Sequence, residues 1–199
     1  YSIADLTGIE DFDSLQTLFC YENQLTSLDV SQNTALTTLF CDFNQLTSLD
    51  VSNNTALQTL YCYSNQLTTL DLSTNTALYR LQCQNNQLTS LDLRNGNNMY
   101  MSTWVSSYLN LTNNPQLYCI DVDDATYSTA NWTVSNGNIS WYSGFSNNCA
   151  TAIYGCMDPL ASNYDPTATL NYACDYGMTY VPDDNFEQAL INLGIDTDS

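Results

Sequence analysis

The chain has 199 residues, 21 of them acidic and only two cationic (Arg80 and Arg94), for a formal net charge of −19. So few cations cannot neutralise the phosphates of nucleic acid, and an anionic membrane would repel the chain, so neither is expected as a partner. The absence of histidine excludes Ser-His-Asp and Cys-His catalytic groups and histidine-bearing zinc sites, and no stretch is apolar enough for a membrane helix.

The N-terminal half is organised by an internal repeat. Residues 1–12 form a degenerate lead-in coil, and residues 13–98 contain four copies of a 21-residue repeat with the pattern L-x-x-L-x-L-x-x-N-x-L. A cysteine occupies the third apolar position of each copy. In the second copy the pattern falls on Leu36, Leu39, Cys41, Asn44 and Leu46.

This repeat pattern predicts a mainly β solenoid with a parallel sheet and little helix. A coil of this length cannot bury its apolar face alone, so successive coils stack. Residues 39–41 are expected to form a short strand, about 4.8 Å from the same strand of the next coil. The apolar positions, continuing through Leu49 and Val51, point inward, and each buried leucine contributes about 2 kcal/mol.

Three polar columns recur at the same period and are predicted to lie at the bends. Asparagine amides there can satisfy backbone groups. We expect the aspartates to cap the bends rather than to bind cations. The columns are Asn23, Asn44, Asn65 and Asn86; Asn33, Asn54 and Asn75; and Asp29, Asp50, Asp71 and Asp92.

The repeats resemble the leucine-rich-repeat family, in particular the cysteine-bearing arrays LxCxxNQLTSLDVSxNTAL of Bacteroidota surface proteins. The resemblance implies a leucine-rich-repeat solenoid exposed outside the cell. It extends to residues 99–150, where CIDVDDATYSTANW is similar to the C-terminal cap of those arrays. Within this segment we align Leu109, Leu111, Asn114 and Leu117 with the second half of a coil. The tryptophans of the cap are expected to be core residues.

The eight cysteines form two classes. Cys20, Cys41, Cys62 and Cys83 recur in a core position, where they are expected to be small buried thiols, since bridges between parallel neighbours would be strained. The remaining four allow three pairings. Their proximity in sequence and the family resemblance favour Cys119–Cys149 and Cys156–Cys174, which would indicate an oxidising compartment.

Residues 151–176 resemble a two-cysteine segment, GCxDPxAxNYxPxATxxDGSC, of secreted proteins from the same bacteria. Four oxygen-bearing side chains there are candidate Ca²⁺ ligands: Asp158, Asn163, Asp165 and Asp175. The usual acidic residues before the second cysteine are replaced by Asn171-Tyr172-Ala173, which favours a disulfide-closed turn without metal. No other cofactor is expected.

Residues 177–199 predict a short amphipathic helix. Asp183 and Asp184 are candidate N-caps, and Gly194 a stop. Its apolar positions are Phe186, Ala189, Leu190 and Leu193. The stretch TYVPDDNFEQALINLG resembles the N-terminal cap of a following array, whereas residues 1–12 carry no cap of their own. We therefore expect one unit of a head-to-tail tandem protein or filament, joined by this helix.

The candidate binding site lies on the outward face of the strands. An aromatic row on an open sheet is unusual, because aromatic surface normally seeks burial, although cross-strand packing is an alternative explanation. The outward columns are Thr17, Thr38, Thr59 and Arg80; Phe19, Phe40, Tyr61 and Gln82; and Tyr21, Asp42, Tyr63 and Gln84. The candidate binding residues among them are Phe19, Tyr21, Phe40, Asp42, Tyr61, Tyr63, Arg80 and Gln82.

Short glycosylation signals are also present. Asn53, Asn110, Asn131 and Asn138 lie in N-x-S/T sequons, and Ser14 follows an aspartate as in the O-glycosylation signal of Bacteroidota.

The sequence thus favours an extracellular, non-catalytic adhesion or interaction module, binding proteins or glycans on the open sheet and copies of itself head to tail. The alternative is a glycan-binding or targeting domain of a larger secreted protein. Carboxylate pairs are the one catalytic device left open, and no constellation of residues supports an enzyme.

Overall fold

The computed structural model describes residues 2–101 and 109–175, which fall into two compact units that divide after Ile153. The first unit is a solenoid with two parallel sheets. One sheet contains β1 (Thr17–Phe19), β2 (Thr38–Phe40), β3 (Thr59–Tyr61), β5 (Arg80–Gln82) and β7 (Leu109–Asn110), and the other β4 (Thr69–Asp71), β6 (Ser90–Asp92), β8 (Cys119–Asp121) and β9 (Gly144–Ser146). The expected mainly β solenoid of leucine-rich coils is confirmed.

Each coil buries the predicted apolar positions. In the second copy Leu36, Leu39, Cys41 and Leu46 have no exposed side-chain surface. The strand itself begins and ends one residue earlier than expected, at Thr38–Phe40. The N–H of Cys41 still donates to the carbonyl of Tyr61 at 2.8 Å, so hydrogen bonding between coils continues where the strand geometry ends.

The first asparagine column forms a ladder of buried hydrogen bonds. Asn65 donates to the carbonyls of Cys41 and Cys62, at 3.0 and 3.1 Å, and its Oδ1 accepts from the N–H of Leu46 at 3.0 Å. One residue ahead of each ladder asparagine, the backbone is left-handed, with φ between 51° and 57°. These left-handed residues are Glu22, Phe43, Ser64, Asn85 and Asn113.

The other two columns stabilise the opposite side of each coil. Asn54 is fully buried and donates to the carbonyls of Val30 and Asn33. Asp50 accepts a hydrogen bond from the N–H of Ser52 at 2.9 Å. A hydrogen bond from the side chain of Ser52, together with this backbone bond, lowers the pKa of the Asp50 carboxyl. Asp29, Asp71 and Asp92 make the same bond two residues ahead, so all four aspartates cap bends.

The alignment expected for the start of the cap segment is wrong by half a coil. Leu109 pairs with Leu81 in the first sheet, and Asn114 continues the first asparagine ladder by donating to the carbonyl of Cys83. Asp121 then pairs with Asp92 in the second sheet. Both halves of a coil have apolar residues at matching offsets, so the spacing alone did not distinguish the two alignments.

The solenoid ends in a cap built around one helix, α1 (Ala125–Asn131), whose first turn is capped by Asp124. Trp132 follows the helix, is fully buried and packs edge-to-face against Phe145, with ring centroids 5.5 Å apart. Trp141, by contrast, is 83% exposed. The expectation of buried tryptophans therefore holds for Trp132 and is wrong for Trp141, which lies in a turn just before β9.

The second unit, described through residue 175, is small and closed by the Cys156–Cys174 disulfide. It pairs β10 (Tyr154–Gly155) with β11 (Leu170–Asn171) in parallel. A Cβ at Gly155 would lie 3.0 Å from both the Cβ of Ala168 and Oδ2 of Asp165, so a larger residue would have to displace these neighbours by a few tenths of an ångström. Within residues 2–101 and 109–175, no helix is long and apolar enough to cross a membrane.

Candidate interaction surface

The strand register places three aromatic side chains in one column on the outer face of the first sheet. Phe19 is directly opposite Phe40, and Phe40 is opposite Tyr61. The ring centroids of the first pair are 4.8 Å apart, and those of the second pair are 4.3 Å apart with nearly parallel planes. Parallel, in-register pairing of neighbouring coils therefore produces a continuous stack of rings.

Three more aromatic residues extend this column toward the bend that follows the strands. Tyr21 and Tyr63 lie beside Phe19 and Tyr61, with ring centroids 6.5 Å apart in both pairs, and Phe43 packs edge-to-face on Tyr63 at 5.1 Å. The six residues form what we call the aromatic patch: Phe19, Tyr21, Phe40, Phe43, Tyr61 and Tyr63. Phe19 remains 58% exposed and Phe43 48% exposed, so the patch is open to solvent.

Phe43 was not identified from the sequence. It occupies the left-handed position of its coil, with φ of 51°, where the other coils have Glu22, Ser64, Asn85 and Asn113. A bulky aromatic residue in this conformation is a genuine outlier, at a cost of about 1–2 kcal/mol, and such strain is found most often at functional sites. The signal available in the sequence was a phenylalanine at a repeat position that is otherwise polar.

This strain can be measured with a matched pair of variants. Phe43→Asn and Phe43→Ala both remove the ring, but asparagine tolerates the left-handed conformation better than alanine does. We expect Phe43→Asn to be more stable than Phe43→Ala by about 1 kcal/mol in urea unfolding. Equal stability of the two variants would show that the backbone at residue 43 is not strained.

Asp42 was expected on the open face and is instead buried, with 5% of its surface exposed. Asp42 lies between Tyr21 and Tyr63 of the neighbouring coils, and its shorter side chain is buried there, with the carboxyl accepting a hydrogen bond from Tyr63. Burial raises the pKa of the Asp42 carboxyl, and Glu22 raises it further, against a hydrogen bond from Tyr63. Burial, followed by this hydrogen bond, raises the pKa of the Tyr63 hydroxyl to about 12.

The polar end of the candidate site lies on β5. Arg80 and Gln82 are half-buried there, beyond Tyr61 in the same sheet. The guanidinium carbon of Arg80 is 5.5 Å from the centroid of the Tyr79 ring, within the range of a cation–π contact. The residues named for the open face therefore lie on neighbouring strands, with aromatic rings on β1 to β3 and polar groups on β5.

The cysteines separate as their spacing predicts. Cys119–Cys149 and Cys156–Cys174 are disulfides, and the four periodic cysteines are free and buried. Burial raises the thiol pKa of each one, to about 12 for Cys20 and Cys83. Such thiols are poor nucleophiles, and the ladder that they form is part of the core.

The four candidate Ca²⁺ ligands lie in the second unit, where their oxygens bind the protein's own groups. Oδ1 of Asp158 accepts from the N–H of Leu160, and Oδ1 of Asp165 accepts from the N–H and hydroxyl of Thr167. Oδ1 of Asn163 accepts from the N–H of Asp175. Within the described part of the chain, no group of three or more acidic, cysteine or histidine side chains is placed to hold a metal ion.

One glycosylation candidate is ruled out by the fold. Asn138 is buried, donates to the carbonyl of Leu109 and accepts from the N–H of Thr133, so its amide nitrogen is not available for a glycan. Asn53 and Ser14 are exposed, and Asn110 and Asn131 are half-buried. The predicted assembly residues Phe186, Ala189, Leu190 and Leu193 lie outside the described residues.

Part of this chain is similar to a solved structure. No family model matches the chain, and no curated protein matches it. The chain is similar to the functional domain of InlJ from Listeria monocytogenes, which is described as including a cysteine ladder, with 38% sequence identity and a TM-score of 0.48. The match covers 60% of this chain and 27% of that chain, so this chain spans about a quarter of its length.

Proposed function

We propose that this chain is an extracellular, non-catalytic interaction module that binds a protein partner through the aromatic patch. The observation that carries the proposal is the column of Phe19, Phe40 and Tyr61 on the open sheet of a solenoid, exposed at Phe19 and half-buried at the other two rings. Repeat proteins bind partners on such surfaces, and exposed contiguous aromatic surface is typical of interaction sites. The two disulfides support a compartment outside the cytosol.

The geometry of the rings favours a protein over a sugar as the ligand of this patch. Binding of a sugar to an aromatic side chain uses a free ring face. In the column both faces of Phe40 are covered, one by Phe19 and the other by Tyr61, so solvent meets ring edges. Edges of stacked rings are well suited to apolar side chains of a protein.

Glycan binding is the second candidate function, and a different residue supports it. The indole of Trp141 on the cap is 83% exposed, and its ring contact with Tyr142 is edge-to-face at 5.5 Å. A single exposed tryptophan offers a ring face that the aromatic column does not. A targeting domain of a larger secreted protein would use this kind of residue.

Replacement of the column is the direct test of the proposed function. We expect peptides selected from a displayed random library against the native chain to bind a Phe19→Ser, Phe40→Ser, Tyr61→Ser variant at least about tenfold more weakly, because an apolar anchor is lost. A Trp141→Ser variant is the matched control and should bind these peptides normally. Circular dichroism and the melting temperature check that both variants fold.

Two outcomes of this test argue against a protein-binding patch. Selected peptides that bind the triple variant as tightly as the native chain would place the binding surface elsewhere. Retention of the native chain on a glycan array, lost only in the Trp141→Ser variant, would favour the glycan-binding alternative.

A head-to-tail arrangement of such modules is the second part of the proposal. Its support is the resemblance of residues 177–199 to the N-terminal cap of a following array, with an apolar face suited to covering an end coil. We expect light scattering at increasing concentration to detect assemblies of the full chain and only monomers after deletion of residues 178–199. Assemblies that persist after the deletion would exclude the helix as the connector.

A further inference from the structure

Acidic groups lie directly beside and beneath the aromatic patch. The N–H of Glu22 donates to the carbonyl of Asp42 at 3.0 Å, which holds these two residues of neighbouring coils together. The Asp42 carboxyl is buried under the rings and accepts a hydrogen bond from Tyr63, a member of the patch. Glu22 is exposed at this end of the patch and carries a negative charge.

The rings add to this preference for positive charge. The face of an aromatic ring carries a negative quadrupole, and guanidinium and ammonium groups within about 6 Å of a centroid are attracted to it. Phe19 is the exposed end of the column, and Phe43 is held outward by a strained backbone. Both lie close to Glu22 and Asp42 in sequence and coil position.

The two cations of the chain itself lie away from the Phe19 end of the patch. Arg94 is on the opposite side of the solenoid, where it pairs with Asp92 and with Asp121, the latter at 3.7 Å. Arg80 begins β5, which is separated from β1 by β2 and β3. With a net charge of −19, the chain attracts cationic partners from a distance and repels acidic ones.

From these observations we infer that the partner segment bound by the aromatic patch is cationic: an extended stretch of protein whose arginine or lysine side chains lie at the exposed Phe19 end of the column, beside Glu22 and above the buried Asp42. The inference rests on the proposed function and specifies its partner. The stacked rings of Phe19, Phe40 and Tyr61 run across three coils, and alternate side chains of an extended peptide, about 7 Å apart, can lie along them.

An eight-residue arginine peptide, compared with an eight-residue glutamine peptide, tests the charge requirement. Any acidic chain attracts arginine without a specific site, so the Phe19→Ser, Phe40→Ser, Tyr61→Ser variant, whose charge is unchanged, is the essential control. We expect the arginine peptide to bind the native chain about tenfold more tightly than this variant in 0.15 M salt. The glutamine peptide should bind neither.

The acidic residues are tested separately with Glu22→Gln and Asp42→Asn, since asparagine can still accept the hydrogen bond from Tyr63. Each is expected to weaken binding of the arginine peptide several-fold, whereas Glu10→Gln, in the lead-in segment, should leave it unchanged. Equal binding of the arginine peptide to the native chain and the triple serine variant would overturn the inference. So would unchanged binding in both acidic variants.

The display selection distinguishes this inference from the function on which it rests. Library peptides that depend on the patch and are enriched in arginine and lysine support both. Peptides that depend on the patch without such enrichment leave the protein-binding function standing and overturn the cationic partner. If no selected peptide depends on the patch, the proposed function itself fails.

Discussion

Replacing Asn65 with alanine is expected to lower the free energy of unfolding by about 3–5 kcal/mol. The Asn65 side chain is buried and bonds backbone groups of three coil segments, through the N–H of Leu46 and the carbonyls of Cys41 and Cys62. Alanine leaves the N–H of Leu46 buried without a partner, which costs about 1–3 kcal/mol. It also removes one of two hydrogen bonds from each carbonyl, since Asn44 still donates to Cys41 and Asn86 to Cys62, and each lost bond costs about 0.5–1.5 kcal/mol. Asn65 is the third of the five ladder asparagines, so it has neighbouring coils on both sides.

Urea unfolding followed by circular dichroism gives the measurement. Gln66→Ala is the matched control, because Gln66 is the next residue, is exposed, and should change stability by less than about 0.5 kcal/mol. A loss below 1 kcal/mol in Asn65→Ala would contradict the view that the ladder holds the coils together.

Raising the pH is expected to destabilise the solenoid steeply, because four thiols that are protonated in the fold ionise in the unfolded chain. The folded-state pKa of each periodic cysteine is raised, so the stability that it contributes is complete below the ordinary thiol pKa of about 8.5. That contribution is lost as the pH rises toward about 12, the folded value for Cys20 and Cys83. The expected slope is about 1.4 kcal/mol per pH unit for each thiol.

The slope is measured by urea unfolding at several values between pH 8 and pH 11. A Cys62→Ala variant removes one thiol, so its stability should fall less steeply with pH by about 1.4 kcal/mol per unit, whatever its stability at neutral pH. Ionisation of Tyr63 affects both proteins and cancels in the comparison. Identical slopes would mean that Cys62 is not a buried protonated thiol.

The parts of the fold that depend on periodicity could be predicted from the sequence. Leu36, Leu39 and Cys41 recur at a fixed spacing, and stacking of identical coils is the one arrangement that buries all of them. The same logic predicted the asparagine ladders and the capping aspartates, since a polar residue that recurs beside a buried position must satisfy the same backbone groups in every coil.

The parts that the sequence could not predict depend on side-chain contacts that differ from coil to coil or lie outside the repeat. Asp42 shares a column with Tyr21 and Tyr63, and its burial depends on its shorter side chain and on the hydrogen bond that it accepts from Tyr63. Burial of Asn138 and exposure of Trp141 depend on contacts of a cap that has no internal repeat to compare with. Local patterns such as a sequon contain no information on these tertiary contacts.

The buried thiol ladder has a consequence for the order in which the chain folds. Eight unpaired cysteines allow 105 complete pairings, and none of them matches this structure, which has two bridges and four reduced thiols. The four thiols precede all four bridged cysteines in sequence, and each coil of a solenoid contacts only its neighbours, so folding can spread from the first coils to the later ones. If the first coils fold before the rest of the chain is available, Cys20, Cys41, Cys62 and Cys83 are buried before the bridged cysteines can react with them. This order of folding would prevent incorrect disulfides.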